Sequence, residues 1–337
     1  MIIAMLSFIL IACKKYRICD TSKLSLVSLV GGLSNMLEVA FLGTSGQSPL
    51  PKRHLSSAIA RYNGRCILFD AGEGTLVALK TLGWSPMKID YICLTHYHAD
   101  HILGLPGLLI TISNTGRTDP VIIIGPKGLR KYLQGFAPFI TGLSFKLQFQ
   151  ELEKPVYQLH ADPFILNPFK VYHSVPCYGY SLLLPRPPKF DMNRVMWNNV
   201  PPELFSVLQE KGEAVYNNKL FTLDMISGPA RKGIKITFCT DTRPTDAIVK
   251  NAEGSDLFIC EGMYATDDKL DKAIETKHML FSEAAQMAAD AKVKKLCLTH
   301  FSPGLPNPKE YLDSVKTIFD NTVIATDFMI HTIQFED

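Results

Sequence analysis

The chain has 337 residues, 47% hydrophobic and 20% charged, which supplies one large core or two ordinary ones and excludes a disordered chain. A formal net charge of +3 is too small to mark a nucleic-acid binder by composition, so any polyanionic partner must be argued from local sequence. The eight cysteines (13, 19, 66, 93, 177, 239, 260 and 297) contain no C-x-x-C pair in a chain long for a disulfide scaffold, and read as reduced, buried thiols of a cytoplasmic protein.

Residues 1–35 fit no targeting pattern well. The apolar run "MIIAMLSFILIAC" is 13 residues long, too short to span a bilayer comfortably. Lys14 and Lys15 follow the run instead of preceding it, which is the wrong order for a secretory signal, and "LIAC" loosely resembles a lipoprotein cleavage site at Cys13. The alternative is that Met36 is the true start and residues 1–35 are upstream read-through. Order is expected from Met36 onward, with 36–337 as one domain.

From there "LEVAFLG" alternates as a strand and runs into "GTSGQS" and "PLPKRH". "SSAIARYNGRCILFDAG" reads as two strands around Asn63-Gly64, the dipeptide best suited to a type I′ hairpin. "EGTLVALKTLGW" has helical spacing, and "KIDYICLTH" is an apolar strand delivering histidines at its end. Helices are expected at "GLPGLLITIS", "KGLRKYLQGF", "TDAIVKNA", "FSEAAQMAADA" and "PKEYLDSVKTIF". Strands are expected at "PVIIIG", "FKLQFQEL", "FKVYHSV", "GYSLLL", "IKITFCTD", "DLFICEG" and "KKLCLTH". Strand and helix alternate without a fixed repeat, which indicates an α/β fold. One segment, Pro185 to Gly233, breaks the rhythm with six prolines, weak periodicity, and seven Lys/Arg against five Asp/Glu. An irregular insertion of that length inside a domain is usually functional or disordered.

The densest chemistry is "THYHADH". His96 and His98 lie two apart at a strand end, and Asp100 and His101 follow on the turn. Imidazoles with a carboxylate form the ligand set of zinc and similar metals, and burying so many without a partner would be costly. One run cannot close two coordination spheres. His173, Asp241 and His300 each end an apolar strand as a lone polar residue, bringing the count to seven. Seven suffice for two tetrahedral metals once one carboxylate and a hydroxide bridge them.

This pattern resembles the metallo-β-lactamase superfamily, with its H-x-H-x-D-H signature followed by distant His, Asp and His. Within it, "FLGTSG", "LFDAGEGT", "GLPGLL", "HSVPCYGYSL", "TDTRP" and "LTHFS" resemble the blocks of the ribonuclease Z family, over roughly residues 37–335. The resemblance implies a four-layer αβ/βα sandwich, two mixed sheets inside two helix layers, with a flexible arm inserted in the second half at residues 185–233. It implies a zinc endoribonuclease that removes 3′ trailers from tRNA precursors, working as a homodimer. By the same resemblance His96, His98 and His173 hold one zinc, Asp100, His101 and His300 the other, and Asp241 bridges them. Asp70 resembles the carboxylate that orients a ligand imidazole.

The departing ribose oxygen needs a proton, and the family's His–Glu pair corresponds to His278 and Glu261. These two, with Asp100, are the expected catalytic residues. Their blocks "CEGMY" and "KHML" match in residue type but not in neighbours. His54, His160, His331, Trp84 and Trp197 fit no block and read as structural. "GTSGQS", Lys52 and Arg53 are weak candidates for meeting phosphates. The arm's tip "VPPELFSVLQEKG" lacks the usual Gly-Pro and lysine density, "LTHFSPG" lacks a common Arg-Tyr, and Leu76 replaces a common glutamine. These departures bear on tRNA recognition and leave hydrolysis untouched. The alternatives are a hydrolase of small phosphodiesters or aryl sulfates with a vestigial arm, and a metal-bound but non-catalytic protein. A complete ligand set argues against the last.

Overall fold

The structure, a computed structural model, describes residues 36–153 and 158–336. The readings of residues 1–35, including Cys13 and Cys19, fall outside the described residues. The other six cysteines are free and buried, as their apolar settings led one to expect. No helix among the described residues is long and apolar enough to cross a membrane.

Strands β1 (Met36–Gly43), β2 (Ser57–Tyr62), β3 (Arg65–Phe69), β4 (Ile89–Cys93), β5 (Val121–Pro126) and β6 (Leu147–Leu152) build a first sheet. Strands β7 (Leu159–Ala161), β8 (Phe164–Val171) and β9 (Cys177–Arg186) open a second. After a hairpin of β10 (Glu213–Tyr216) and β11 (Lys219–Thr222), that second sheet continues with β12 (Arg231–Cys239), β13 (Leu257–Glu261), β14 (Leu296–Thr299) and β15 (Thr322–Ile324). Finally β16 (Ile330–Gln334) returns to the first sheet beside β1.

The orders are β16-β1-β2-β3-β4-β5-β6 and β15-β14-β13-β12-β9-β8-β7. In each, three antiparallel pairings give way to three parallel ones: at β3–β4 in the first sheet and β12–β13 in the second. The two halves therefore repeat one plan. Alternation along the strands explains the layering. Leu37, Val39 and Phe41 of β1 meet Ile236, Phe238 and Ile259 of the other sheet in a central core. Ala40 and Leu42, pointing the opposite way, pack under the helix Leu105–Asn114 through Leu105, Leu108, Leu109 and Ile112. On the far side Phe258 and Cys260 of β13 pack against Phe281, Ala284 and Ala288 of the helix Phe281–Asp290. Three cores between four layers are the sandwich expected of the fold.

Asn63 and Gly64 both have positive φ (48° and 76°), as a type I′ turn requires, and join β2 to β3. Other expectations need correction. The strand "FKVYHSV" stops at Val171, because Tyr172 leaves the sheet to pair with Arg243, whose N–H donates to its carbonyl at 3.0 Å. His173 thus sits on a loop. "PKEYLDSVKTIF" is a 3₁₀ turn (Pro308–Tyr311) and a five-residue helix (Leu312–Lys316) instead of one long helix. Strands β7 and β15, three residues each, are too short to show a period in sequence.

The segment 185–233 is more regular than its composition suggests. Short helices (Met192–Asn198 and Phe205–Lys211) and the β10–β11 hairpin enclose a small core of Val195, Val200, Leu204, Leu208, Phe221 and Ile226. Asp191 caps the first helix by accepting from the N–H groups of Asn193 (2.9 Å) and Arg194 (3.3 Å). Each helix has under two turns, so no periodicity could emerge.

Candidate metal centre

The C-terminal ends of the central parallel strands of both sheets meet at one rim, and the polar residues stand there. Past β4 come Thr95, His96 and His98; a four-residue helix, Ala99–Ile102, then carries Asp100 and His101. Asp70 follows β3, Asp241 follows β12, Glu261 ends β13 and His300 follows β14. Asp70, Asp241 and His300 have positive φ (55°, 52° and 56°), a conformation costly for residues with a Cβ. The sharp turn stops each strand and swings the side chain inward.

All seven expected ligands converge. His96, His98, His173 and Asp241 form one group able to hold a metal ion, and Asp100, His101 and His300 form another. Asp241 lies between them. Its Oδ2 is 3.7 Å from His96 Nε2 and 3.8 Å from His173 Nε2. Its Oδ1 is 3.2 Å from His101 Nε2 and 3.1 Å from His300 Nε2. Asp100 Oδ2 stands 3.5 Å from His101 Nε2 and 3.7 Å from His300 Nε2, and His173 Nε2 stands 3.3 Å from His98 Nδ1. Ligand atoms around a tetrahedral zinc lie about 3.4 Å apart, given bonds of about 2.0–2.1 Å.

The outer hydrogen bonds decide which ring nitrogens face inward. Asp70, fully buried, accepts from the Thr95 N–H (2.8 Å), the Thr95 hydroxyl (2.8 Å) and His101 Nδ1 (2.7 Å). With its proton given to Asp70, the Thr95 hydroxyl accepts from His96 Nδ1 at 3.0 Å. His173 Nδ1 donates to the Lys277 carbonyl at 3.2 Å. These rings therefore turn Nε2 toward the Asp241 carboxylate, as a lone pair wherever the ring is neutral. Acceptors facing acceptors repel unless a cation sits among them. His96 Nε2, buried and without any hydrogen-bond partner, is the plainest such atom. The donor set fits a metal.

The electrostatics agree. Burial lowers the pKa of His96 well below the ordinary value, helped by repulsion from His101, and burial likewise lowers His98 and His173. Neutral imidazole is the ligand form. Against the push of burial, His300, His101 and His96 hold Asp241 well below the carboxylate range. The neighbouring His101 and His300 do the same for Asp100. His101 goes the other way: Asp241 and Asp70 overcome burial and raise it well above the ordinary value. A metal binding at its Nε2 therefore displaces a proton.

Beside this group lies the pair expected to move a proton. His278 Nδ1 donates to Glu261 Oε2 at 3.0 Å, and its ring centroid is 5.2 Å from that of His173 and 5.6 Å from that of His300. Burial lowers its pKa, but the Glu261 charge and hydrogen bond prevail and lift it to about 9. Glu261, fully buried, also accepts from the backbone N–H groups of Thr242 and of Met279 (3.2 Å). Sequence reasoning missed Arg243 of "TDTRP". Its guanidinium donates to the His278 carbonyl (2.7 Å) and forks onto Glu283, tying the His278 loop to the helix Phe281–Asp290. The motif held the signal, without a partner to interpret it.

The weaker candidates have other roles. "GTSGQS" supplies the Gln47 N–H, which donates to Asp100 Oδ2 at 2.7 Å. Arg53 is buried and donates to the carbonyls of Leu305 and Pro306 (2.9 Å each), while Lys52 is exposed. His54 pairs with Asp327 (3.3 Å), His160 is exposed, and His331 is half-buried on β16. Trp84 is buried under Arg61, and Trp197 is exposed on the arm.

Comparison with known proteins agrees with this geometry. Residues 51–171 match the metallo-beta-lactamase superfamily and residues 222–301 a beta-lactamase superfamily domain. The chain is 48% identical over 301 residues to a protein named ribonuclease Z from Lachnoclostridium phytofermentans, covering 89% of this chain and 99% of that one. It is 46% identical to the ribonuclease Z of Clostridium acetobutylicum, over 90% of this chain and 100% of the relative. Among solved structures, the short form of human tRNase Z superposes with a TM-score of 0.62 at 26% identity, over 89% of this chain and 100% of that one.

Proposed function

The chain belongs to the ribonuclease Z family, and we propose that it is a metal-dependent endoribonuclease that removes 3′ trailers from tRNA precursors through a two-zinc site. The observation that carries the two-metal count is Asp241, whose two oxygens each face a separate histidine group. In this reading His96, His98 and His173 would hold one zinc and Asp100, His101 and His300 the second, with Asp241 available to both. The cytoplasmic location and the homodimer belong to the same proposal and rest on the family resemblance.

A bound metal pair supplies an ionised water and a positive field for the phosphate oxygens. The chain does the rest. Asp70 and Thr95 fix His101 and His96 in the tautomer that faces the site, and the Gln47 N–H holds Asp100. His278, kept protonated by Glu261, gives its proton to the departing ribose oxygen, and Arg243 holds the loop that carries it.

Glu261→Gln should move the falling, high-pH limb of the rate profile on a tRNA precursor to lower pH. An acid works only while protonated, and loss of the negative charge that raises His278 makes it deprotonate earlier. An unchanged limb would take Glu261 out of this role.

The arm separates recognition from chemistry. Arg186 and Arg231 pair across β9 and β12, so an Asn-Gly turn can join them in place of 187–230 without disturbing any ligand. The deleted stretch carries four Lys/Arg and five Asp/Glu, so its grip on RNA must come largely from contacts other than charge. Its exposed Met192, Met196 and Trp197 are suited to that. The shortened enzyme should hydrolyse a small aryl phosphodiester near the intact rate and lose most of its kcat/KM on a tRNA precursor. Intact protein that leaves tRNA precursors uncut but hydrolyses the small ester would favour the small-substrate hydrolase. Normal tRNA processing by the shortened enzyme would show the arm is idle.

A further inference from the structure

A cleft of about 110 Å³ opens beside the metal centre, lined by Tyr97, His98, Lys127, Tyr132, Val175 and Pro176. Its lining differs from everything else at the rim. Apart from His98 and Lys127, it presents ring faces and aliphatic carbon. Tyr97 lies between the two first histidines and forms the fixed wall. Its hydroxyl donates to the Pro126 carbonyl, and a Cβ at Gly125 would fall 2.9 Å from the hydroxyl oxygen of Tyr97, so glycine keeps the seat open. Tyr132, half exposed on the helix Leu129–Gln134, faces it with ring centroids 4.3 Å apart at 31°. The turn through Val175 and Pro176, just past the ligand His173, forms the opposite wall.

We propose that this cleft takes one base of the RNA, that of a nucleotide flanking the scissile phosphate, packed against the ring of Tyr132, which Tyr97 backs. The proposal rests on the endoribonuclease reading and adds a specificity site to it. Three observations favour a nucleobase. The cleft touches His98, so a phosphodiester at the metal centre has its neighbouring base within one nucleotide's reach. Tyr132, held from behind by Tyr97 and half exposed, offers an aromatic surface on which a flat ring can stack, and every base has one. Lys127 stands at the mouth with its side chain largely exposed, in loose contact with the exposed Glu153 at 3.7 Å, and an anion can displace such a pairing.

The test is a two-by-two comparison of kcat/KM. Wild type and Tyr132→Ala are each given a tRNA precursor and two otherwise identical precursors, abasic at the nucleotide on one side or the other of the cleaved bond. On the full precursor Tyr132→Ala should lose about tenfold or more, and Tyr132→Phe, which keeps the ring, should recover most of it. On one of the abasic precursors the two enzymes should be equal within about twofold, because the stacked partner is already missing. If the base and the side chain contribute independently on both abasic substrates, or if Tyr132→Phe is as impaired as Tyr132→Ala, the cleft holds no base. Wild-type protein that cuts no precursor would overturn the endoribonuclease reading itself, a different result. Tyr132 is half exposed, so the variants should keep their fold and metal content.

Discussion

Asp241→Ala should strip the protein of metal and abolish hydrolysis of both tRNA precursors and aryl phosphodiesters. Removing an outer partner of a ligand typically costs about 10- to 100-fold in metal affinity, and Asp241 is itself within ligand distance of both groups. Its loss leaves the inward lone pairs of His96 and His173 on one side, and His101 and His300 on the other, with no shared anion. Elemental analysis of purified wild type should find about two zincs per chain, and the variant far fewer. A wild-type content of one metal, or a variant that keeps both metals and full rate, would end the two-metal assignment.

His278→Ala should keep its metals and lose about 10²- to 10⁴-fold in rate on a tRNA precursor. A ribose alkoxide is a poor leaving group and needs the proton; a p-nitrophenolate needs little, so p-nitrophenyl esters should suffer much less. The contrast between substrates is the readout. His278 also lies within ligand distance of Asp241 and His300, which makes the metal content equally informative. If the variant loses a metal, His278 is a ligand and not the acid. If both substrates slow equally with metal intact, it acts on something other than the leaving group.

How these residues were legible beforehand differs from one to another. The cluster in "THYHADH" is visible because four ligand-type side chains share six positions at the end of an apolar strand. His173, Asp241 and His300 are visible only as lone polar residues ending apolar runs, and family resemblance was needed to gather them. Arg243 was in view within "TDTRP", but its partners Glu283 and the His278 carbonyl lie 35 to 40 residues away. The cleft at Tyr97 could not be seen, since its walls come from three separate stretches of chain.

By itself the sequence determined the alternation of strand and helix, the apolar faces that build three cores, the Asn63-Gly64 turn, and the cluster of four ligand-type residues in "THYHADH". All of these rest on local patterns, in which neighbours a few positions apart share a face or a turn. Only the tertiary structure decided that β16 closes the first sheet beside β1, that the arm has a core of its own, and that Asp241 turns one oxygen to each histidine group. The same holds for the lone pairs of His96, His101 and His173, whose direction depends on Thr95, Asp70 and the Lys277 carbonyl. Pairings across scores of residues are set by how whole sheets twist and stack, and no window of sequence contains both partners.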